Sequence, residues 1–185
     1  MTRLFNLYWF ILLCGSLKNR HMQQSLESDE EKFKRVRKEA EEYYESIGSV
    51  WCPYLQENVH FNTEGFQHLL FKSWNRTRVR AEQYTRLRLL RLVPDIIAKS
   101  HTLQEYEERS LLIKQKVNSR WEKRMKRVRY YVFIAIVKTV RLKIIVKEIE
   151  GGAKFFYSLY PSWRDTPDVN GNKKKVLYSG NLETD

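Results

Sequence analysis

Apolar residues recur at helical spacing early in the chain, at Phe33, Val36, Ala40, Tyr43, Tyr44 and Ile47. Ser28 and Glu31 have the spacing of a capping box, in which each side chain bonds to the backbone N–H of the other residue. Gly48 ends the run, as glycine commonly does after a helix. This pattern predicts an N-terminal helix within residues 22–49.

The same periodicity predicts three further helices. One begins after Asn62 or Thr63 and covers about residues 64–74, and the next covers about 77–92. Pro94 either ends the latter or opens a short turn, and arginines are expected around its outer side at positions 78, 80, 86, 88 and 91. Thr102 and Glu105 form a second capping-box pattern, which favours a helix with apolar positions at Tyr106, Leu111, Ile113 and Val117.

Later segments have the composition and alternation of strands. We predict strands over 129–137, 141–149 and 154–160, with short connections that favour hairpins. Helices followed by an antiparallel meander indicate an α+β domain, with N-terminal helices packed on one face of a small antiparallel sheet. The domain is expected to span 50–163, and the polar residues 164–185 are expected to form a disordered tail.

The first 21 residues allow two interpretations. An apolar run at 4–14 is too short to span a bilayer, so no stable membrane span is predicted. Either Met22 is the true start and residues 1–21 are an over-extended start, or the run is a weak signal or anchor segment. Cys14 and Cys52 stand in unrelated contexts, which favours a reducing cytoplasm over a secreted or anchored location.

Positive charge is concentrated in the middle of the chain. The net charge is +12, and residues 72–147 hold 21 Lys and Arg against 6 Asp and Glu. Such a field attracts a polyanion, of which RNA is the partner we expect first. Neither His/Cys clusters with metal-ligand spacing nor paired carboxylates occur in this basic region, so no metal site or cofactor is predicted.

Three segments together resemble a known nuclease superfamily. They are V-H-F-N-T-E-G-F-Q-H-L at 59–69, the R-x-x-L-L block at 86–90 with Pro94 after it, and F-F-Y-S-L-Y-P-S-W at 155–163. Their order resembles the phage and mobile-element branch of the barnase/EndoU/colicin/RelE-like nucleases. The resemblance implies metal-independent cleavage of RNA by its own 2′-hydroxyl, with His68 as the helix histidine and Ser158 as the strand serine. It also implies a toxin-like role with an acidic antitoxin or immunity partner.

RNA transesterification needs a base, an acid and cations, and several residues are candidates for these roles. His68 is the candidate base, because imidazole titrates near neutrality and Lys72 follows it at helical spacing. Arg78 and Arg86 are the candidate catalytic cations, and Ser158 the candidate donor to a phosphate oxygen. Further substrate contacts are expected from Lys72, Arg80, Tyr130, Lys143 and Tyr157, of which the tyrosines could stack on bases or supply a phenolic proton.

Two other interpretations remain. Several relatives in the superfamily carry a second histidine on the late strands, and this chain has none after His101, so the general acid is unassigned. A non-catalytic RNA- or DNA-binding module that uses the basic surface of residues 72–147 fits that departure. A membrane-peripheral protein tethered through residues 4–14 is the third interpretation. His60 is the second choice for the base, while His21 and His101 are expected to be incidental.

Overall fold

The computed structural model describes residues 28–73, 75–137, 140–161, 164–167 and 173–176. The predictions for residues 1–21 lie outside the described residues, as do residues 168–172 and 177–185 of the expected tail. The described part is an α+β fold with its helices in the N-terminal half and its long strands in the C-terminal half, which confirms the predicted class. Among the described residues, no helix is long and apolar enough to cross a membrane.

The first helix, α1, covers Asp29–Ile47 and begins as its sequence predicts. The Ser28 side chain accepts from the backbone of Glu31, whose carboxylate accepts in return from the backbone of Ser28. The helix buries Val36, Ala40 and Tyr44 in the common core. It therefore belongs to the same packed unit as the rest of the fold.

Three shorter helices follow. They are α2 over Thr63–Leu70, α3 over Arg80–Leu89 and α4 over Val93–Ala98, with a 3-10 turn at Leu90–Leu92 between the last two. Pro94 opens α4, where its missing N–H needs no intrahelical partner. The prediction of a helix over 64–74 is wrong after Leu70, because the chain becomes extended at Phe71. The segment Phe71–Ser73 forms strand β3, which pairs with strand β4 at Arg76–Thr77.

In the part of the chain that the structure describes, the main sheet has six strands in the order β1-β2-β8-β7-β6-β5. Their bounds are β1 Ser49–Cys52, β2 Glu57–His60, β5 Glu105–Val117, β6 Arg120–Val137, β7 Val140–Ile149 and β8 Phe155–Pro161. Neighbours run antiparallel except β2 and β8, which meet in a short parallel contact at His60 and Phe155. Apolar residues on one sheet face, including Phe133, Ile144 and Phe156, pack with the helices in the core.

The helix expected after Thr102 is wrong, since this segment forms the edge strand β5. Leu111, Ile113 and Val117 lie on one side of an alternating pattern, so the apolar positions of this segment fit a strand as well as a helix. Asn118 and Ser119 both have positive φ, at 45° and 67°, and form the two-residue turn that folds β5 onto β6. The strand expected over 129–137 accordingly begins much earlier, at Arg120.

The segment 164–185, expected to be a disordered tail, contains two paired strands. They are β9 Arg164–Pro167 and β10 Lys173–Val176, which run antiparallel. Asn170-Gly171 stands between them in the sequence and is a strong hairpin signal that the polar composition concealed.

Candidate functional site

Helix α2 packs directly on the backbone of β8. Asn62 caps the helix by accepting from the N–H of Gly65 at 3.0 Å. A Cβ at position 65 would lie 2.1 Å from the Phe156 carbonyl oxygen and 2.5 Å from the Tyr44 hydroxyl oxygen, so only glycine fits there. His68 follows three residues later on the same side of the helix, and is therefore held against β8.

The imidazole of His68 stacks on the phenol ring of Tyr157. The ring centroids are 3.9 Å apart and the planes are inclined by 26°. Tyr157 is the extra residue of a β-bulge, since Ile145 pairs with Ser158 while the adjacent Val146 pairs with Phe156. A bulge redirects a side chain out of the regular alternation, and here it accompanies the meeting of Tyr157 with the histidine.

The two stacked rings have pKa values displaced in opposite directions. Burial lowers the pKa of His68 to about 4, and the nearby positive charges of Arg78, Arg86 and Lys147 add to this effect. Burial raises the pKa of Tyr157 to about 12, with Tyr130 and Glu64 contributing. At neutral pH the histidine is therefore an unprotonated base and the tyrosine a protonated acid. The Nδ1 atom of His68 is buried and makes no hydrogen bond to the described residues.

Both rings line a cleft of about 440 Å³ between α2, β3 and β8. Its lining residues are Glu64, Gln67, His68, Phe71, Lys72, Ser73 and Tyr157. Lys147 lies beside it, with its Nζ 4.7 Å from the ring centroid of Tyr157 and in an ion pair with Glu64. Lys72 does not share a helix face with His68 as expected, because α2 ends at Leu70, but the extended chain still places it in this cleft.

The expected surface arginines Arg78 and Arg86 are instead buried beneath the site. Their guanidinium groups donate to the same carboxylate oxygen of Glu82, at 2.7 and 2.9 Å respectively. Burial opposes ionisation of Glu82, but the positive charges of Arg86 and Arg78 outweigh it and hold its pKa below the usual range. Glu82 and Arg86 share one face of α3 at i, i+4 spacing, and Arg78 reaches Glu82 from just before the helix begins.

Each arginine also satisfies backbone groups that the fold leaves open. Arg78 donates from Nε to the carbonyl of His68 at 3.1 Å, which caps the C-terminal end of α2. Arg86 donates to the Ser158 hydroxyl at 2.8 Å and to the Leu159 carbonyl at 2.6 Å, on β8. Ser158 is 1% exposed, so its hydroxyl is committed to Arg86. These contacts fix α2 and β8 relative to each other.

Other expected substrate contacts lie elsewhere. Arg80 pairs with Glu30 and lies over the ring of Phe33, both on α1. Lys143 pairs with Glu105. The ring centroids of Tyr130 and Tyr157 are 5.8 Å apart. Both tyrosines line a second cavity of about 530 Å³ on the sheet face opposite the helices. Tyr157 thus borders both cavities.

Sequence reasoning missed Glu82, Glu64 and Lys147. The Arg78, Glu82, Arg86 spacing is a signal that could have indicated the buried ion pairs. Lys147 continues the alternation of Arg141 and Lys143 along β7, so its place on the same sheet face was open to prediction. No local signal in the sequence indicates the pairing of Glu64 with Lys147, which are 83 residues apart.

Neither a protein-family model, a curated protein nor a solved structure matches the chain. Among the described residues, no group of three or more His, Cys, Asp or Glu side chains could hold a metal ion. The nuclease resemblance therefore stays a prediction, and the function is argued from the cleft alone.

Proposed function

We propose that the chain is a metal-independent endoribonuclease whose reaction takes place in the cleft between α2 and β8. The observation that carries this proposal is the stacking of His68 on Tyr157 in a cleft that Lys72 lines and Lys147 borders. At neutral pH this pair presents an unprotonated imidazole and a protonated phenol, which are the forms that a base and an acid need.

In the proposed reaction His68 removes the proton of the 2′-hydroxyl, and the 2′-oxygen forms a bond to the adjacent phosphorus. The bond from phosphorus to the 5′-oxygen breaks, and the leaving oxygen takes the phenolic proton of Tyr157. The products are a 2′,3′-cyclic phosphate and a 5′-hydroxyl. Tyr157 thereby takes the role of general acid, which no histidine of the late strands can take because the chain has none after His101.

Two lysines supply the positive charge that the transition state needs. Lys72 lines the cleft, and its side chain is 43% exposed. Its Nζ lies 3.8 Å from Oε2 of Glu82. Lys147 lies over Tyr157 and pairs with Glu64, an exposed carboxylate that a bound phosphate would displace. Arg78, Arg86 and Ser158 act as positioning residues in this proposal, because they are held by hydrogen bonds to Glu82, to each other and to the backbone. Only Nε of Arg86, among the described atoms of these three side chains, is buried without a partner.

The test is incubation of the purified full chain with end-labelled RNA in EDTA, beside His68→Ala and the surface control Arg88→Ala. We expect cleavage that leaves 2′,3′-cyclic phosphate ends, lost in His68→Ala and kept in Arg88→Ala. Cleavage that needs added metal, or that survives in His68→Ala, would contradict the proposal.

A second candidate is a non-catalytic RNA- or DNA-binding module, favoured by a cationic strip on β6. The strip consists of Arg120, Lys123, Arg124, Lys126, Arg127 and Arg129, with Glu122 as its acidic member. Arg120 and Lys123 make no ion pair with the described residues. Tight, salt-sensitive RNA binding without cleavage in the same assay would favour this candidate over the nuclease.

A further inference from the structure

Strand β5 is a long edge strand with no partner on its outer side among the described residues. It has 13 residues, all of them exposed or half-buried, and within the described part of the chain it pairs only with β6. Leu112 is 63% exposed and Tyr106 is 52% exposed. A free edge of this length presents a row of unpaired N–H and C=O groups, which is a template for a further strand.

The neighbouring strand β6 also has an unpaired stretch, but its side chains protect it. Strand β7 pairs with β6 only from Val128 onward, so β5 is the only strand that pairs with residues 120–127 within the described chain. Lys126 and Arg127 also bond to Glu150, just after β7. This stretch carries cations at positions 120, 123, 124, 126 and 127, and cations on an edge oppose pairing with a second copy. Strand β5 instead carries as many glutamates as cations, so its charges can pair with those of a second copy.

The sequence of β5 is complementary to itself when read in the opposite direction. Its acidic residues Glu105, Glu107 and Glu108 lie at one end, and Lys114 and Lys116 lie at the other. Apolar residues occupy the centre, at positions 111–113. An antiparallel copy therefore brings acid against base at both ends and apolar against apolar in the middle.

We infer that two copies of the chain pair antiparallel through β5, about a two-fold axis perpendicular to the sheet at Leu112. Such an axis keeps the two faces of the sheet distinct, so only residues of the same parity can oppose each other. In this register Leu112 opposes Leu112, Leu111 opposes Ile113, and Glu108 opposes Lys116. Pairs of apolar side chains, and pairs of oppositely charged side chains, stabilise a sheet when they lie directly opposite each other on neighbouring strands. The inference goes beyond the proposed function and does not depend on it.

The net charge of the chain does not prevent this pairing. Strand β5 is neutral, since Arg109, Lys114 and Lys116 balance its three glutamates. The excess positive charge lies on β6, and in the dimer the two β6 strands are three strand spacings apart. That separation is roughly 14 Å, which exceeds the screening length of about 8 Å at physiological salt.

The test is sedimentation velocity of the full chain over a concentration series up to about 100 µM. Two variants change the β5 edge, Lys116→Glu and Leu112→Lys. Each has a matched control one strand away, Lys123→Glu and Met125→Lys. Leu112 and Met125 are cross-strand partners and both are 63% exposed, so neither change should disturb the monomer.

We expect the wild-type chain to form a dimer. Lys116→Glu sets the new carboxylate against that of Glu108 twice per dimer, and Leu112→Lys sets two ammonium groups face to face at the axis. Each should weaken association by roughly tenfold or more, while each control should change it by less than about threefold. A wild-type chain that stays monomeric throughout the series would overturn the inference. So would edge variants and controls that weaken association equally.

Discussion

Replacing Gly65 with alanine tests how the site is assembled. On an ordinary helix this change would stabilise the protein by up to about 1 kcal/mol, because alanine is the better helix former. Here the new Cβ would lie 2.1 Å from the Phe156 carbonyl oxygen, more than 1 Å inside the 3.4 Å limit of ordinary contact. That neighbour is backbone and cannot rotate away, so α2 must retreat from β8.

The retreat also removes contacts that depend on the close approach. Tyr44 donates its hydroxyl proton to the Asn62 carbonyl at 2.9 Å, and its oxygen would lie 2.5 Å from the new Cβ. Overpacking costs about 1–3 kcal/mol and a disturbed buried hydrogen bond about 1 kcal/mol more. We therefore expect Gly65→Ala to lose about 2–4 kcal/mol of unfolding free energy.

Urea denaturation measures this loss. With a slope of about 2 kcal/mol per molar urea, the midpoint should fall by roughly 1–2 M while the slope stays constant. Gln67→Ala, at an exposed position of the same helix, should change stability by less than about 0.5 kcal/mol. A Gly65→Ala protein as stable as wild type, or more stable, would refute the packing of α2 on β8 and with it the stacking of His68 on Tyr157.

Three further predictions concern the residues around the cleft. The pKa of His68 in the folded protein lies below its unfolded value of about 6.5, so the free energy of unfolding should fall by about 2–3 kcal/mol as the pH drops from 6.5 to 4. In His68→Gln, urea denaturation over the same pH range should show a fall in unfolding free energy that is smaller by this amount. Arg86→Met should cost about 2–4 kcal/mol in urea melts, since it leaves the Leu159 carbonyl without its donor, whereas a similar loss in the exposed Arg88→Met would argue against a special role for Arg86. Tyr157→Phe should lower the cleavage rate by a factor of about 10² or more and leave RNA affinity within about threefold; an unchanged rate would remove Tyr157 as the acid.

Local signals in the sequence predicted the parts of the fold that depend on local chemistry. The capping box at Ser28 and Glu31 set the start of α1, and the alternation at 141–149 set β7 to within one residue. The prediction of a helix after Thr102 failed because the apolar positions of this segment fit both helical and strand spacing. Its assignment was decided by pairing with β6 across the Asn118-Ser119 turn, a tertiary preference that outweighs local propensity.

Three of the residues expected at the site lie together, although their arrangement was not predicted. His68, Lys72 and Tyr157 do meet in one cleft, although Lys72 arrives there on a strand. Arg78 and Arg86 were expected on the surface because arginine is rarely buried without a partner, and their partner Glu82 went unnoticed. The stacking of His68 on Tyr157 depends on a bulge and on contacts across 89 residues of sequence, which no local pattern encodes.

Paired substrates test whether the 2′-hydroxyl of RNA is the nucleophile in a cleft that uses His68 and Tyr157. The full chain is given an oligoribonucleotide and its all-2′-deoxy counterpart in EDTA, and both binding and cleavage are measured. We expect both strands to bind, since phosphates dominate affinity, and only the ribose strand to be cleaved. Cleavage of the deoxy strand, or of neither strand, would contradict it.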